Sequence, residues 1–587
     1  MRYATARKPG GLLMIDRRTL CGAAMGIAAM SALSACGGQE GGSQGGAETV
    51  PASWLKCRVG KLSEIDPLLV EDRAGLQVLS AVFLPLMRFD ANGGLVPGAA
   101  LSCAVSDDAC TFTFKLPEHA VFHNGERVTA SSFKIAWERL VRAISSDEGT
   151  SDAEPEFGRW GSLLRLVDGY EALRAGRASE MVGLRCPDDA TFVVTLTQPC
   201  PYFDHVTAHP ALGPVPAAAL ADPEAFALKP VGNGPFALKY PWERGRGVML
   251  ASFADCVIGA PLAAGALFDP MADTVAAYKQ FRAGNIDITD VPVDQLSDAE
   301  DIASPAPDGH SMTVDARLAH GVEGGLLYLS LNCVSGAFSR PEMRRAACLS
   351  VDREALCRKV LKFSGEPALG PISPRVAEMQ PWDACTYDPE GSLQLVEAAK
   401  LAALQNDPVE GEGSAEGGAE ADVPLPDPLD LDIDLIYRKG GTGARVVAHV
   451  VRDLEAAGFS VKTEALDADD FVKRYRTAEF DCALRALEPS VPALEAIVDE
   501  LLAYDRSSAG ISVYRDEQLD HVLAEARQAT DVATRRALIQ DALSMAGESL
   551  PLIPLAHPAY TKIASDRVAA SAVDASGKID LFASDLV

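Results

Sequence analysis

The segment from Leu431 to Val461 changes hydrophobic period twice, and no other feature restricts the fold as much. Leu431 to Tyr437 alternates apolar and polar residues, the period of a half-buried strand. Gly440 to Gly443 then opens a helical stretch that runs through Leu454, and Phe459-Ser460-Val461 begins another strand. A strand, a helix and a strand in this order form a crossover unit, which implies a parallel sheet and an α/β fold.

From Trp54 onward, strands, turns and helices alternate without an internal repeat. Thr111 to Leu116 has strict period-two alternation. Thr129 is placed to cap a helix over Ala130 to Val141, where Phe133, Ala136, Trp137 and Leu140 recur at helical spacing. Thr191 to Thr197 is β-branched and is closed by Pro199 and Pro201. Thr274 to Ala283 reads as a helix with Val275, Tyr278 and Phe281 on one face and Gly284 at its end. Asp407 to Leu431 is rich in Glu, Gly, Pro and Ala and reads as an acidic surface insertion with too little apolar matter to pack.

The amino terminus reads as an export signal. Arg17 and Arg18 precede an apolar run from Leu20 to Ala35, too short for a transmembrane span, which needs about 20 residues. The run ends in Leu33-Ser34-Ala35-Cys36, followed by Gly37-Gly38. That order resembles the bacterial lipobox, which implies removal of residues 1–35 and acylation of Cys36. An ordinary signal peptide cut near an A-x-A-like site is the alternative. Residues 36–53, mostly Gly, Gln, Ser and Glu at first, read as a flexible tether to a membrane. The Arg17-Arg18 pair leaves twin-arginine export open beside the general route, although Asp16 and Cys21 fit that pattern poorly.

The chain of 587 residues carries a formal charge of −29. Such a surface repels phosphate backbones and anionic headgroups, which excludes nucleic-acid binding and makes any membrane attachment covalent or embedded. None of the thirteen cysteines stands in a C-x-x-C pair, so zinc and thioredoxin-type sites are not expected. Outside the cytoplasm, pairing is the natural state. Cys103 and Cys110 flank the turn signal Ser106-Asp107-Asp108, and Cys186 and Cys200 bracket a strand region around Asp188-Asp189, so each pair is a candidate local disulfide.

Catalytic motifs are missing. His205 and His209 lie four apart, yet Pro210 follows and no Glu or Cys completes a metal set. Gly232-Asn233-Gly234-Pro235 reads as a tight turn, and Gly441-Thr442-Gly443 as a loop before a helix. There is no G-x-S-x-G, H-E-x-x-H or Walker A sequence. No enzyme activity, cofactor or metal is expected.

Six blocks in order resemble the family of large extracytoplasmic solute-binding proteins that serve peptide and nickel importers. They are Phe112 to Phe133, with Phe122-His123-Asn124-Gly125 at its centre; Pro201-Tyr202-Phe203 with His209-Pro210 and Pro214-Val215-Pro216; Val231 to Phe236; Tyr278 to Ile288; Leu329 to Asn332 with Met343 to Ala346 and Ser350 to Arg353; and Leu550 to Leu555. The second resembles the oligopeptide-binding branch in particular. The resemblance implies a periplasmic-binding-protein-like α/β fold of the large type, with two lobes joined by a hinge. Lobe I would comprise 54–100, 211–325 and 546–587; the extra domain 101–210; and lobe II 326–545, interrupted by the insertion 407–430. It further implies a monomer that captures a small solute, most readily a peptide, and delivers it to an ABC permease with its ATPase subunits.

The specificity region departs from the family. Peptide binders of this type carry "G-W-x-x-D" after an "F-D" strand, the Asp pairing with the peptide ammonium. Here the strand is Phe480-Asp481-Cys482-Ala483, and Leu487 and Ser490 stand for the Trp and Asp. Arg485 and Glu488 are the nearby charges. With Asp290, these four residues are the candidate ligand contacts. The departure keeps a non-peptide solute open (a metal chelate, haem or sugar), and, from other classes, an exported sensor, adhesin or hydrolase on the same shell.

Overall fold

The computed structural model describes residues 50–90, 92–144, 156–406, 429–502 and 514–587. Cys36, the expected signal peptide, nearly all of the expected tether and residues 407–428 of the expected acidic insertion lie outside the described residues.

One strand organises the molecule. Leu552–Ala564 is 13 residues long and nearly continuously buried, because it is covered on both faces. Its first part pairs antiparallel with Leu326–Leu331, and its last part with Leu318–Val322 and Ile288–Asp290. It therefore threads a twelve-stranded mixed sheet. On one side lie Ile288–Asp290, Leu55–Val59, Gly265–Pro270, Val248–Ser252 and Phe236–Leu238; on the other lie Leu326–Leu331, Cys482–Leu487, Asp432–Arg438 and Ser460–Leu466. A second connection, Glu323-Gly324-Gly325, runs beside it between Leu318–Val322 and Leu326–Leu331.

Two hydrophobic cores flank these crossings. The first gathers Leu55, Val78, Phe112, Trp137, Phe192, Phe236 and Phe268; the second gathers Tyr328, Phe338, Val396, Leu435, Val450 and Ile553. The segment 101–210, expected as the extra domain that enlarges lobe I, has its own four-stranded sheet, in which Thr111–Lys115 and Thr191–Thr195 are central. Its core is continuous with that of lobe I, because Phe112, Trp137 and Phe192 join the first cluster. The lobe boundary near the C-terminus also differs from expectation. Leu550, Leu552, Ile553 and Leu555 pack into the second core, and the chain reaches the first only at Tyr560 and beyond.

The crossover unit forms as its periodicity requires. Asp432–Arg438 and Ser460–Leu466 pair in parallel from Asp432↔Ser460 to Arg438↔Leu466. The intervening helix Gly443–Ala456 buries Val446, Val447, Val450 and Leu454. Thr129 caps Ala130–Val141, and its N–H donates to the Ser132 hydroxyl at 3.2 Å. In the helix Thr274–Arg282, Tyr278 and Phe281 are buried with Ala277, while Val275 is 47% exposed; Asp273 caps this helix by accepting from the N–H groups of Val275 and Ala276.

The turn at Gly232 is a clasp. Asn233 Oδ1 accepts from Leu84 N at 2.9 Å, and its Nδ2 donates to Leu84 O at 3.0 Å. A Cβ on Gly232 would stand 2.0 Å from the Val82 carbonyl, so only glycine admits this approach.

The eleven described cysteines are all separate thiols, and the strand register sets the first expected pair apart. Ser106 N–H donates to Thr111 O at 2.9 Å, and Ala109 adopts φ 51°, so the turn centres between Asp108 and Ala109. That register sets Cys103 opposite Phe114 rather than opposite Cys110. The four-residue offset is roughly 13 Å along a strand, beyond the Cα separation of about 4.4–6.8 Å that a disulfide tolerates. Cys186 lies beside Arg185, which faces Val193, whereas Cys200 is well past the strand end, its N–H on Ala109 O at 3.1 Å.

Candidate functional site

The strand Cys482–Leu487 is central, antiparallel to Leu326–Leu331 and parallel to Asp432–Arg438. Arg485 stands opposite Tyr328 in the antiparallel register. Its guanidinium lies over the ring of Tyr475, 4.2 Å from the centroid, a cation–π contact. Tyr475 is fixed from behind: its ring stacks on Phe480 at 5.1 Å and on Phe471 at 6.1 Å, and its hydroxyl meets the Ser330 hydroxyl at 2.8 Å.

A cavity of about 330 Å³ opens here. Leu327, Val446, Phe471, Val472 and Leu484 form its apolar wall, and Arg438, Arg476 and Arg485 supply its charge. It lies where the strand ending at Arg438 gives way to the start of the helix Gly443–Ala456, and Thr442 and Gly443 line it. Pockets at the carboxyl ends of parallel strands are the usual ligand sites of α/β sheets.

The three arginines share an unusual condition in so acidic a chain. Among the described residues, none of them forms an ion pair with a carboxylate. Glu500 is near Arg485, but burial pushes its carboxyl above the usual range, against the pull of Arg485 and Arg165. Burial opposes the charge on Arg485 too, yet Tyr328, Tyr475 and Glu500 raise its pKa overall. Arg485 is a half-buried cation held in place by the Tyr475 ring.

The other candidates do not converge on it. Leu487 is buried opposite Leu326 and belongs to the second core. Glu488 and Ser490 lie beyond the strand end and are exposed. The chain then crosses over, because Val491 and Ala493 pack into the first core. Glu488 there adds to the negative field around Arg73, which grips Glu323 with both guanidinium nitrogens, Nη1 to Oε1 at 2.9 Å. Asp290 sits in the other half of the sheet, bonded to Arg58 and to Lys562 Nζ at 2.6 Å, and both partners pull its pKa down despite burial. Of the candidates, Arg485 alone lines the cavity.

Arg438, Arg476, Tyr328 and Tyr475 escaped the sequence. The available signal was positional: Arg438 is the last residue of a parallel strand directly before a Gly-rich helix start. A second cavity, about 830 Å³, lies against the crossing strands and is lined by Val322, Glu366, Trp382 and His557 with a Pro-rich stretch between them.

The two cores, the paired crossings and the open cationic cavity define a two-lobed α/β receptor for a small solute. The model of bacterial extracellular solute-binding proteins, family 5 (middle region), matches residues 94–508, and the chain belongs to that family. It is 24% identical over 507 residues to the probable deoxycholate-binding periplasmic protein YgiS of Escherichia coli K12, covering 85% of this chain and 86% of that one. It is 25% identical over 509 residues to the periplasmic oligopeptide-binding protein OppA of the same organism, covering 84% and 85%. Among solved structures, HbpA2 from Haemophilus parasuis superposes with a TM-score of 0.73 at 19% identity, covering 91% of this chain and 99% of that one. The fold is that of the periplasmic solute-binding proteins.

Proposed function

We propose that this chain is the receptor subunit of an ABC importer, and that the cavity at Arg485 takes the carboxylate of a short peptide or peptide-like solute. The observation that carries this reading is the convergence of Arg438, Arg476 and Arg485 on an apolar cavity, none of them in an ion pair with a carboxylate among the described residues. An arginine fork binds a carboxylate bidentately, and the stack on Tyr475 pre-orients the fork. The family and the peptide-binding relatives support the solute class.

A second solute is favoured by one observation. Leu487 is buried in the second core, so the strand offers no aromatic platform at the position of the family's Trp. An apolar wall topped by arginines also suits an amphipathic carboxylate that is not a peptide, and one relative is named for deoxycholate. The shared chemistry is a carboxylate on an apolar body.

Delivery follows from the crossings: bending at Glu323-Gly324-Gly325 and at Ala556–Ala559 closes the lobes, and the closed form docks as a monomer on a permease with its ATPase subunits. Acylation of Cys36 holds the receptor at the outer face of the cell membrane, and no catalysis is involved. Native mass spectrometry of the exported protein tests the solute assignment. A co-purifying peptide or amphipathic carboxylate is expected; a neutral sugar or a metal chelate without a carboxylate would overturn it.

A further inference from the structure

Cys348 and Cys385 are 37 residues apart in sequence and meet in the second core with their sulfurs 3.8 Å apart. Cys348 lies in the helix Pro341–Ser350, and Cys385 ends the short turn Asp383–Cys385. Both are buried.

Arg353 fixes the two backbones to one another. Its Nη1 donates to Cys348 O at 3.1 Å and to Cys385 O at 3.0 Å. Nε donates to Pro554 O at 2.7 Å, which anchors the guanidinium to the long crossing strand. Its Nη2 lies 3.3 Å from Cys348 Sγ. A single nitrogen holds both carbonyls and keeps the two residues adjacent, and a disulfide needs the sulfurs to close from 3.8 Å to roughly 2 Å.

We propose that Cys348 and Cys385 form a disulfide in the exported protein. The family is extracellular, and thiols in that compartment meet disulfide-bearing oxidants. The hydrogen bond from Cys385 and the Arg353 guanidinium lower the Cys348 pKa to about 7, against its burial. Every other described thiol is shifted upward, chiefly by burial for all but Cys385, which is raised first by its hydrogen bond to Cys348.

The chemistry is thiol–disulfide exchange during folding, before the core closes. The Cys348 thiolate attacks one sulfur of the oxidant's disulfide, forming a mixed disulfide and releasing one thiolate. Cys385 loses its proton to that thiolate and attacks Cys348 Sγ; the new S–S bond forms as the second oxidant thiolate leaves and takes up the proton first lost by Cys348. Two protein thiols are oxidised, and one oxidant disulfide becomes two thiols.

The consequence is local. The bond clamps the end of Pro341–Ser350 to the turn that follows Trp382, whose indole donates to Leu543 O at 3.0 Å and which lines the larger cavity. Peptide mapping of the full exported chain, alkylated without reductant, should recover the Cys348 and Cys385 peptides as one cross-linked species. Both peptides alkylated as free thiols would overturn the proposal. Thermal unfolding gives an independent readout. Reductant should lower the Tm of the wild type and leave a C348A/C385A variant unmoved. Equal shifts in both proteins, or none in the wild type, would also overturn it.

Discussion

The guanidinium of Arg485 lies 4.2 Å over the ring of Tyr475, and that ring is held by Phe480, Phe471 and the Ser330 hydroxyl. A long side chain that ordinarily samples many rotamers is thereby confined to one orientation. Confinement before binding reduces the entropy lost on binding, so the fork meets an anion ready-made.

This arrangement distinguishes a fork from a point charge. Arg485→Lys keeps the positive charge and loses the planar pair of donors and the stack. It should weaken binding of a carboxylate solute by about 1.5–3 kcal/mol, the range for a hydrogen bond to a charged group. Isothermal calorimetry with the co-purified solute measures it. Lysine binding as tightly as arginine would show that only net charge matters.

The connection between lobes allows no side chain at Gly325. A Cβ there would stand 2.8 Å from Leu487 O, so the two crossing-side strands would have to part. Gly325→Ala should cost about 1–3 kcal/mol, as overpacking does. Gly60→Ala, where nothing lies within 4 Å, should change the urea midpoint little. Equal effects of the two substitutions would argue against close strand approach.

His209 makes stability depend on pH. It packs 4.3 Å from the Trp160 ring, its Nδ1 accepts from Ala211 N at 3.2 Å, and burial lowers its pKa to about 3. The unfolded state therefore takes up a proton below pH about 6.5 that the folded state refuses until pH about 3, so this group's contribution falls as pH falls through that window. His209→Asn retains an acceptor without the titration. Between pH 7 and pH 5 the wild type should lose about 2 kcal/mol more than the variant, read from urea midpoints. Parallel losses would mean that His209 is protonated in the fold.

Asp66 and Arg139 form a buried pair with two contacts of 2.6 Å, and their side chains are 1% and 9% exposed. Asp66→Asn leaves the guanidinium buried without its counter-charge and should cost about 3–5 kcal/mol. Chemical denaturation of the variant checks this, and a loss under 1 kcal/mol would contradict it.

Local period was the readable part of the fold. Leu431 to Val461 fixed a parallel pair because periods of 2 and 3.6 are distinct in so few residues. Register was less readable. One left-handed residue, Ala109, recentres a hairpin and separates Cys103 from Cys110, and nothing in Ser106-Asp107-Asp108 marks alanine for that conformation. The candidate site was legible where the chain departed from its family, which brought Arg485 forward. Arg438 and Arg476 remained hidden because their meeting is tertiary: one ends a strand, the other a helix, and only the packing of Phe471 and Tyr475 against the sheet brings them together. The Cys348 and Cys385 meeting is tertiary in the same way.

The central claim is that a carboxylate occupies the cavity at Arg485. Calorimetry of the wild type and Arg485→Ala with a tripeptide pool, and with the same pool amidated at its C-terminus, tests it most directly. The account predicts that the wild type binds the free-acid pool about tenfold or more tighter than the amidated pool, and that Arg485→Ala abolishes this preference because both changes remove one contact. Equal binding of both pools by the wild type, or a preference that survives in Arg485→Ala, would contradict it.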